Sequence, residues 1–468
     1  MAVTYEEWMS DGDALMWNIE RDPVLRSTVL SVWILDQSPD LERFEATFDR
    51  AVEKIPRLRQ RVVADGLGVA TPRWEEDPLF DRTYHLRRLR APGDGDLRDL
   101  LDLAAPIAGQ AFDKDRPLWE FHLVEGLEGG RAGVIMKIHH AISDGVGMVR
   151  MTNSLIERSR DPEPGWDRPR TLAETPDASP RATEMEHLAS AVQQRVKTAT
   201  QRGRKIGEAV GRGLWEAAKD PAGTARKLAE TASSVGRLVK PATEPHSPLW
   251  TERSFSIHLD ALLVSFDALR AAAKAVDGTL NDAFVASIAG GLRLYHEGHG
   301  HRVEALRMNM PINIRSGDEG NKAGNQFVPA RFDVPVGIED PKERMRAIRK
   351  LVQGQRSEPA LPLMEEVSGA INRLGVVAAT SFVSGMMKSV DFVTSNVPGP
   401  RFPVYTGGAR IEQMFPFGPM AGAAVNVTLF SYDGQLQLGI NTDCRAVPDP
   451  DRLLECIEAG IDEVTAVT

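Results

Sequence analysis

An apolar, β-prone stretch ends directly on a pair of histidines, and this junction constrains the fold more than any other feature. Residues 132–138 read Ala-Gly-Val-Ile-Met-Lys-Ile, and His139 and His140 follow at once. Three further residues separate the pair from Asp144 and Gly145. Apolar residues then recur at helical spacing: Val146, Met148, Val149, Met151 and Leu155. A buried strand therefore leads through a polar turn into a helix, which predicts an α/β protein with its histidines at a strand end.

The histidine pair admits a catalytic, a structural and a metal-binding interpretation. The ordinary pKa of histidine suits proton transfer near neutral pH, and a strand end aims the side chain at a cleft. A single histidine at such a place is more commonly a hydrogen-bonding group of the core. Asp144 can cap the following helix, and Gly145 permits a positive φ. Adjacent side chains of an extended chain point to opposite faces, so both imidazoles cannot easily reach one ion, and we expect no metal site.

Strand and helix patterns divide the chain into two α/β units. We assign residues 1–160 to the first, 161–250 to a linker and helical crossover, and 251–468 to the second. The first unit has predicted strands over 27–35, 118–125 and 133–138 and helices over 41–55 and 97–112. The second has predicted helices over 267–276, 280–295, 370–387 and 450–465, and a hairpin over 423–441. The hairpin is expected to turn at Asp433-Gly434, a pair that suits a type I′ turn.

Composition narrows the class of protein. The chain has 468 residues, 42% hydrophobic and 26% charged, which are globular values. Its net charge of −10 argues against a nucleic-acid partner. The two cysteines, Cys444 and Cys456, are interpreted as ordinary packed thiols of a reducing compartment. Neither a signal peptide nor a stretch long enough to span a membrane is evident. We therefore expect a cytoplasmic protein, with any membrane contact peripheral.

Residues 181–240 differ from the rest of the chain in charge. They contain twelve Lys and Arg against six Asp and Glu, although the whole chain is acidic. Apolar residues spaced along the segment predict helices. One interpretation is a solvated crossover helix between the two units. The other is an interfacial helix that binds anionic lipid, with Trp215 as an anchor.

Several motifs together resemble one known family. His139-His140-Ala141-Ile142-Ser143-Asp144-Gly145 is similar to the HHxxxDG motif of the bacterial wax ester synthase/acyl-CoA:diacylglycerol acyltransferase family. Pro117-Leu118-Trp119 resembles its PLW block, Asn281-Asp282 its ND motif, and residues 395–400 its NVPGP block. Residues 13–17, 310–315 and 324–325 also look family-like. The resemblance implies two chloramphenicol acetyltransferase-like α/β domains with mixed sheets, joined by a helical crossover linker, and an active site in a tunnel at the domain interface.

The resemblance also implies an activity. It predicts transfer of a fatty acyl group from acyl-CoA, a co-substrate, to diacylglycerol or a long-chain alcohol, with no bound cofactor. His140 corresponds to the general base, and His139 is expected to support it. Asp144 is expected to hold the loop in shape, with Arg315 as a possible partner, while Gly145 permits the turn.

The remaining motif residues are assigned to substrate binding, and two of them also suit a structural role. Pro117, Leu118, Trp119, Asn281 and Asp282 are assigned to substrate binding, although Asp282 also suits a structural role. Asn281 could stabilise the oxyanion, but an asparagine at a helix start is more commonly a cap. An acyltransferase for another lipid or polyketide-type alcohol, and a non-catalytic lipid-binding protein of the same fold, stay open as alternatives. The inner face of the plasma membrane or lipid inclusions are possible sites of association.

Overall fold

The structure is a computed structural model of the chain. It describes residues 5–64, 70–142, 151–161, 186–187, 189–200, 244–313, 327–358 and 363–467, with isolated positions between 204 and 236. Within these residues the chain forms two six-stranded sheets and a two-stranded ribbon. The helix expected after the histidine motif falls mostly outside the described residues.

The first sheet carries the histidine pair on an inner strand. It and the ribbon comprise β1 (Thr28–Leu35), β2 (Gln60–Val63), β3 (Arg73–Glu76), β4 (Leu86–Arg90), β5 (Trp119–Glu125), β6 (Ala132–His139), β11 (Tyr405–Thr406) and β12 (Ala409–Phe417). The sheet order is β11-β12-β1-β6-β5-β4, and β2 pairs with β3. Only β4 and β5 are parallel neighbours in this sheet. Because β6 lies between β1 and β5, its last residues are held from both sides.

The second sheet is built from the C-terminal half of the chain. Its strands are β7 (Ile257–Ser265), β8 (Leu306–Asn313), β9 (Phe327–Val334), β10 (Phe392–Pro398), β13 (Val425–Tyr432) and β14 (Gln435–Asp443), in the order β7-β14-β13-β10-β8-β9. Strand β10 is parallel to β8 and β13, and the other neighbours are antiparallel. The predicted hairpin is confirmed: Asp433 (φ 45°) and Gly434 (φ 79°) supply the two positive angles of its turn.

The helices follow most of the sequence predictions. They are α1 (Asp11–Ile19), α2 (Leu41–Lys54), α3 (Arg82–His85), α4 (Leu97–Gly109), α5 (Phe266–Ala275), α6 (Leu280–Gly298), α7 (Pro341–Arg356), α8 (Met364–Asn372), α9 (Val376–Met387) and α10 (Pro450–Thr465). The single helix expected over 370–387 is wrong. Gly375 adopts a φ of 84°, which ends the first helix and lets α9 begin in a new direction.

Each sheet has one face covered by helices. Helices α6 and α10 pack on the second sheet, in a core that includes Met308, Val425 and Ile440. Helix α4 packs against β1 and β6 of the first sheet and against β7 of the second. Leu259 of β7 consequently shares a hydrophobic cluster with Leu30 and Ile135 of the first sheet. The face of the second sheet that lacks α6 and α10 is therefore turned toward the first sheet.

The chain crosses between the sheets at Pro398-Gly399-Pro400. After β10 it leaves the second sheet, and β11 and β12 then join the edge of the first. A Cβ on Gly399 would lie 2.4 Å from the Ser431 carbonyl oxygen, so only glycine fits this crossing. The assignment of residues 251–468 to one unit stays a prediction, but their strands contribute to both sheets.

Candidate active site

The backbone of the histidine pair is fixed by both neighbouring strands. His139 lies opposite Thr28 of β1. Its N–H donates to the carbonyl oxygen of Leu118 at 3.0 Å, and the N–H of His140 donates to the carbonyl oxygen of Ser27 at 2.8 Å. An inner strand bonded on both sides has little freedom to shift. The position of His140 is thus set before any substrate arrives.

The side chain of His139 is fully buried, and both of its ring nitrogens are engaged. The N–H of Ala141 donates to Nδ1 at 3.0 Å. Nδ1 therefore carries no proton, and Nε2, 2.8 Å from Glu20 Oε1, must be the donor to that carboxylate. The rings of Trp17 and Phe112 pack edge-on against the imidazole. His139 is held in one tautomer and one orientation, and it cannot serve as a proton acceptor for a substrate.

Glu20 is a site residue that the sequence analysis did not identify. Its Oε1 accepts from His139 and also from the Ser27 N–H, at 2.7 Å. Burial alone would raise the pKa of Glu20, but its interaction with His139 and the Ser27 N–H together hold that pKa below the usual value. The same Ser27 accepts the backbone N–H of His140. Glu20 thereby connects the buried histidine to the backbone that carries its neighbour.

His140 has a different environment from His139. His140 is only partly buried, whereas no part of His139 is exposed. Of the two histidines, His140 is the one with residual exposure. The structure thus places one histidine of the pair inside the core and leaves the other partly exposed.

A buried lysine lies behind the histidines on the same strand. Lys137 is fully buried, two residues before His139 and on the same face of the sheet. Its Nζ is 3.6 Å from Glu120 Oε1 and 4.4 Å from the centre of the Phe112 ring. Burial lowers the pKa of Lys137, although the Glu120 carboxylate opposes the shift. Phe112 therefore separates a charged pair from the imidazole of His139.

The PLW block is part of the core that positions the histidine strand. Pro117, Leu118 and Trp119 are all buried. The indole N–H of Trp119 donates to the carbonyl oxygen of Leu58, and its ring stacks on His85. Leu118 contributes the backbone acceptor for His139. These contacts are structural, and the three side chains are packed among protein groups.

The ND motif opens helix α6. The N-cap is Thr279, not Asn281: the Thr279 hydroxyl accepts from the N–H of Asp282, and Asp282 Oδ2 accepts from the N–H and hydroxyl of Thr279. The Asp282 carboxylate is thus used inside the helix start. Asn281 is partly buried, with its Nδ2 3.8 Å from Met310 Sδ. Because Thr279 caps the helix, the Asn281 amide is not needed for that purpose.

Three predicted site residues cannot be placed. Asp144, Gly145 and Arg315 lie outside the described residues. In the part of the chain that the structure describes, no three His, Cys, Asp or Glu side chains come together as metal ligands would. None of the helices there has the length and apolar composition to cross a bilayer.

A narrow cleft of about 50 Å³ runs between the two sheets beside the histidine strand. Arg26, Thr28 and Leu30 line it from the first sheet, and Leu259 and Asn441 from the second. Thr28 is the strand neighbour of His139. A cavity of this volume can hold water.

The chain carries a histidine pair at the end of an inner strand of one of two mixed sheets, and comparison with known proteins supplies its family. The model of the wax ester synthase/diacylglycerol acyltransferase catalytic domain matches residues 9–284, and that of the family's C-terminal domain matches residues 323–465. The chain belongs to this family, and it is therefore an acyltransferase. The predicted fold class, two chloramphenicol acetyltransferase-like domains with mixed sheets, is confirmed by its structural neighbours. The tunnel stays a prediction.

Individual relatives cover nearly the whole chain. A putative diacylglycerol O-acyltransferase of Mycobacterium tuberculosis is 36% identical over 97% of this chain and 91% of its own length. The wax ester synthase/diacylglycerol acyltransferase of Marinobacter aquaeolei has a TM-score of 0.63 and 21% identity over 98% of both chains. The first condensation domain of the calcium-dependent antibiotic synthetase has a TM-score of 0.62 and 15% identity, covering 98% of this chain and 95% of that one.

Proposed function

We propose that this protein transfers a long-chain acyl group from acyl-CoA to diacylglycerol, a long-chain alcohol, or both, and that His140 is the general base. The observation that carries the proposal is the difference between the two imidazoles. His139 has both ring nitrogens engaged and is buried, whereas His140 is partly exposed at a fixed strand end. The relatives named diacylglycerol O-acyltransferases support the substrate class.

The reaction requires only one residue to move a proton. His140 takes the proton of the acceptor hydroxyl as the oxygen attacks the thioester carbonyl. The tetrahedral intermediate then collapses, the C–S bond breaks, and the departing CoA thiolate receives that proton from His140. A thioester is already activated, so no covalent enzyme intermediate is needed. The products are an ester and free CoA.

Other residues of the site are assigned supporting roles. His139 and Glu20 are positioning residues, because they fix the backbone on which His140 stands. Asn281 is proposed to donate its amide to the oxyanion, a role that the Thr279 cap leaves available. Asp282 keeps the start of α6 in place through its capping box. Asp144, Gly145 and Arg315 retain the roles that the family resemblance implies, as proposals.

The test is CoA release from palmitoyl-CoA by wild-type protein and the His140→Ala variant. Dioleoylglycerol, hexadecanol or no acceptor is present, and the better acceptor identifies the ester formed. His299→Ala serves as the control, because His299 pairs with Asp449 at the far end of α6. Acceptor-dependent release that His140→Ala abolishes and His299→Ala retains supports the proposal. Release that survives in His140→Ala removes His140 from the base role.

We further propose that residues 181–240 bring the enzyme to an anionic lipid surface. In the described helical part, 189–200, Val192 and Val196 lie one turn apart and are 48% and 61% exposed. Arg195 and Lys197 flank Val196. An exposed apolar pair beside cations suits the boundary between lipid headgroups and acyl chains.

A flotation assay tests this contact. Val192→Asp combined with Val196→Asp should weaken binding to vesicles of phosphatidylcholine with phosphatidylglycerol, since it places charge where the apolar pair would insert. Leu79→Asp is the matched control, because Leu79 is 65% exposed on another part of the surface. Equal binding of the double variant and wild type would contradict the proposal.

A further inference from the structure

The inner face of the second sheet, the face turned toward the first sheet, carries three asparagines along one row that only Val393 interrupts. Asn441 lies opposite Asn426, Asn426 beside Val393, and Val393 beside Asn309. Directly neighbouring residues of a sheet point to the same face, so these side chains form one row across four strands. We call Asn441, Asn426 and Asn309 the carboxamide row. Its ends are separated by three strand spacings, about 14 Å.

The residues beyond the two ends of the row show what the row connects. Beyond Asn441 the next position is Leu259, which packs against the first sheet. Asn441 itself lines the cleft together with Thr28, the strand neighbour of His139. Beyond Asn309 the next position is the partly buried Arg331 of β9. The row therefore runs from the vicinity of the histidine strand toward a cation.

Two oxygens of the row are buried and accept no hydrogen bond from the described residues. Asn309 is 9% exposed and Asn441 5% exposed, and Oδ1 of each lacks a donor there. Asn426, between them, is saturated: its Nδ2 donates to the Pro419 carbonyl oxygen and its Oδ1 accepts from the Thr428 hydroxyl. A buried carbonyl oxygen without a donor is unfavourable. The outer two carboxamides are therefore suited to a ligand that brings N–H or O–H groups.

The substrates differ in the donors that they carry. Diacylglycerol or an alcohol has a single hydroxyl, and the proposed reaction sends its proton to His140. An acyl chain has none. The pantetheine arm of acyl-CoA has two amide N–H groups and a hydroxyl spaced along an extended chain, and it ends in phosphates. Its donors match the unsatisfied oxygens, and its anionic end matches Arg331.

We propose that the carboxamide row is the binding track for the pantetheine arm of acyl-CoA, with Asn309 and Asn441 accepting from its N–H or O–H groups and Arg331 at the phosphate end. This inference rests on the proposed acyl-CoA-dependent function and names residues for one part of that substrate. It also gives a reason for the polarity of a buried sheet face, which packing alone would fill with apolar side chains.

The experiment compares Asn309→Leu with wild type on three thioesters. Palmitoyl-CoA and S-palmitoyl-pantetheine carry the amides, and S-palmitoyl-mercaptoethanol does not. We expect kcat/KM to fall roughly 3- to 10-fold on the first two, the equivalent of one neutral hydrogen bond, and to be unchanged on the third. The Tm should not fall, because the substitution removes an unpaired buried oxygen. Asn426→Leu is the control, and its loss of two internal hydrogen bonds should lower Tm and affect all three substrates alike.

Each result has a definite meaning. An equal change on all three thioesters, or none on palmitoyl-pantetheine, overturns the track. If wild type transfers from no thioester, the proposed function fails. Calorimetric titrations of the protein with free CoA and, separately, with adenosine 3′,5′-bisphosphate still test the row. Asn309→Leu should then weaken CoA binding and leave the nucleotide unchanged. Equal affinities of wild type and variant for CoA would overturn the inference independently of turnover.

Discussion

The end of β6 and the inner face of the second sheet differ in whether their buried polar groups have hydrogen-bond partners. At the end of β6, His139, Glu20 and Ser27 satisfy one another with hydrogen bonds between 2.7 and 2.8 Å. On the second sheet, Asn309 and Asn441 keep buried oxygens without a donor among the described residues. A saturated network is rigid, whereas a buried oxygen without a donor can still accept a hydrogen bond from a ligand.

This difference separates two tasks between the sheets. The first sheet fixes the backbone of His140, the proposed general base, and a general base needs a fixed place because small displacements reduce proton transfer strongly. The second sheet presents hydrogen-bonding groups to whatever lies between the sheets. Substitutions in the first should therefore change turnover, and substitutions in the second should change substrate binding.

The largest effect is expected at the accessible histidine. His140→Ala should lower kcat about 10²- to 10⁴-fold, because the acceptor hydroxyl loses its base. The Tm should stay close to that of wild type, since His140 is partly exposed and its backbone bond to Ser27 is unaffected. Steady-state kinetics and a thermal melt measure the two quantities. A large fall in Tm with modest loss of kcat would place His140 in the structural network and remove the contrast with His139.

The second prediction concerns the contact that joins the sheets. A Cβ on Gly439 of β14 would lie 1.8 Å from the Pro416 carbonyl oxygen of β12, which is backbone and cannot move aside. Gly439→Ala should therefore destabilise the protein by about 3 kcal/mol. Gly354→Ala in α7 is the matched control, because nothing lies near its Cβ and alanine favours a helix. Equal unfolding midpoints in denaturant for the two variants would show that the sheets do not need this close approach.

Helix starts and hairpin turns could be predicted because they depend on residues that are close together in the sequence. Helix α2 begins after Asp40, whose side chain accepts from the Arg43 N–H, and the β13–β14 hairpin turns at Asp433-Gly434. Strand β12 was missed: its membership in the first sheet depends on pairing with β1, almost 380 positions earlier in the chain, and no periodicity records that pairing. The short strand β4 and helix α3 were missed for lack of a distinct apolar pattern.

The same limit applies to the site. The histidines were identifiable from the strand that precedes them and from their motif. Glu20 was not, because its contact with His139 spans 119 positions. A polar residue directly after the apolar helix α1 was its only local signal. The unsatisfied oxygens of Asn309 and Asn441 were equally out of reach, since a sequence shows an asparagine but not whether its amide has a partner.

The smallest predicted effect concerns Glu20. It tests whether the negative charge of this residue is needed to hold the end of β6 in place. Glu20→Gln keeps an oxygen that can accept from His139 but removes the carboxylate, so kcat should fall about 10-fold.

Since the pKa of Glu20 is lowered in the folded state, its charge stabilises the fold above the ordinary value of 4.5, and that stabilisation is lost as the pH falls below it. The stability difference between wild type and Glu20→Gln should therefore shrink in acid. Removing a negative charge that is linked through Ser27 to the backbone of His140 should also move the acid limb of the kcat profile to lower pH. Glu157→Gln is the control, because Glu157 is a buried carboxylate paired with Arg43 in another part of the fold. That variant should lose stability without changing kcat or its pH profile. Identical pH profiles for wild type and Glu20→Gln would mean that Glu20 acts on packing alone.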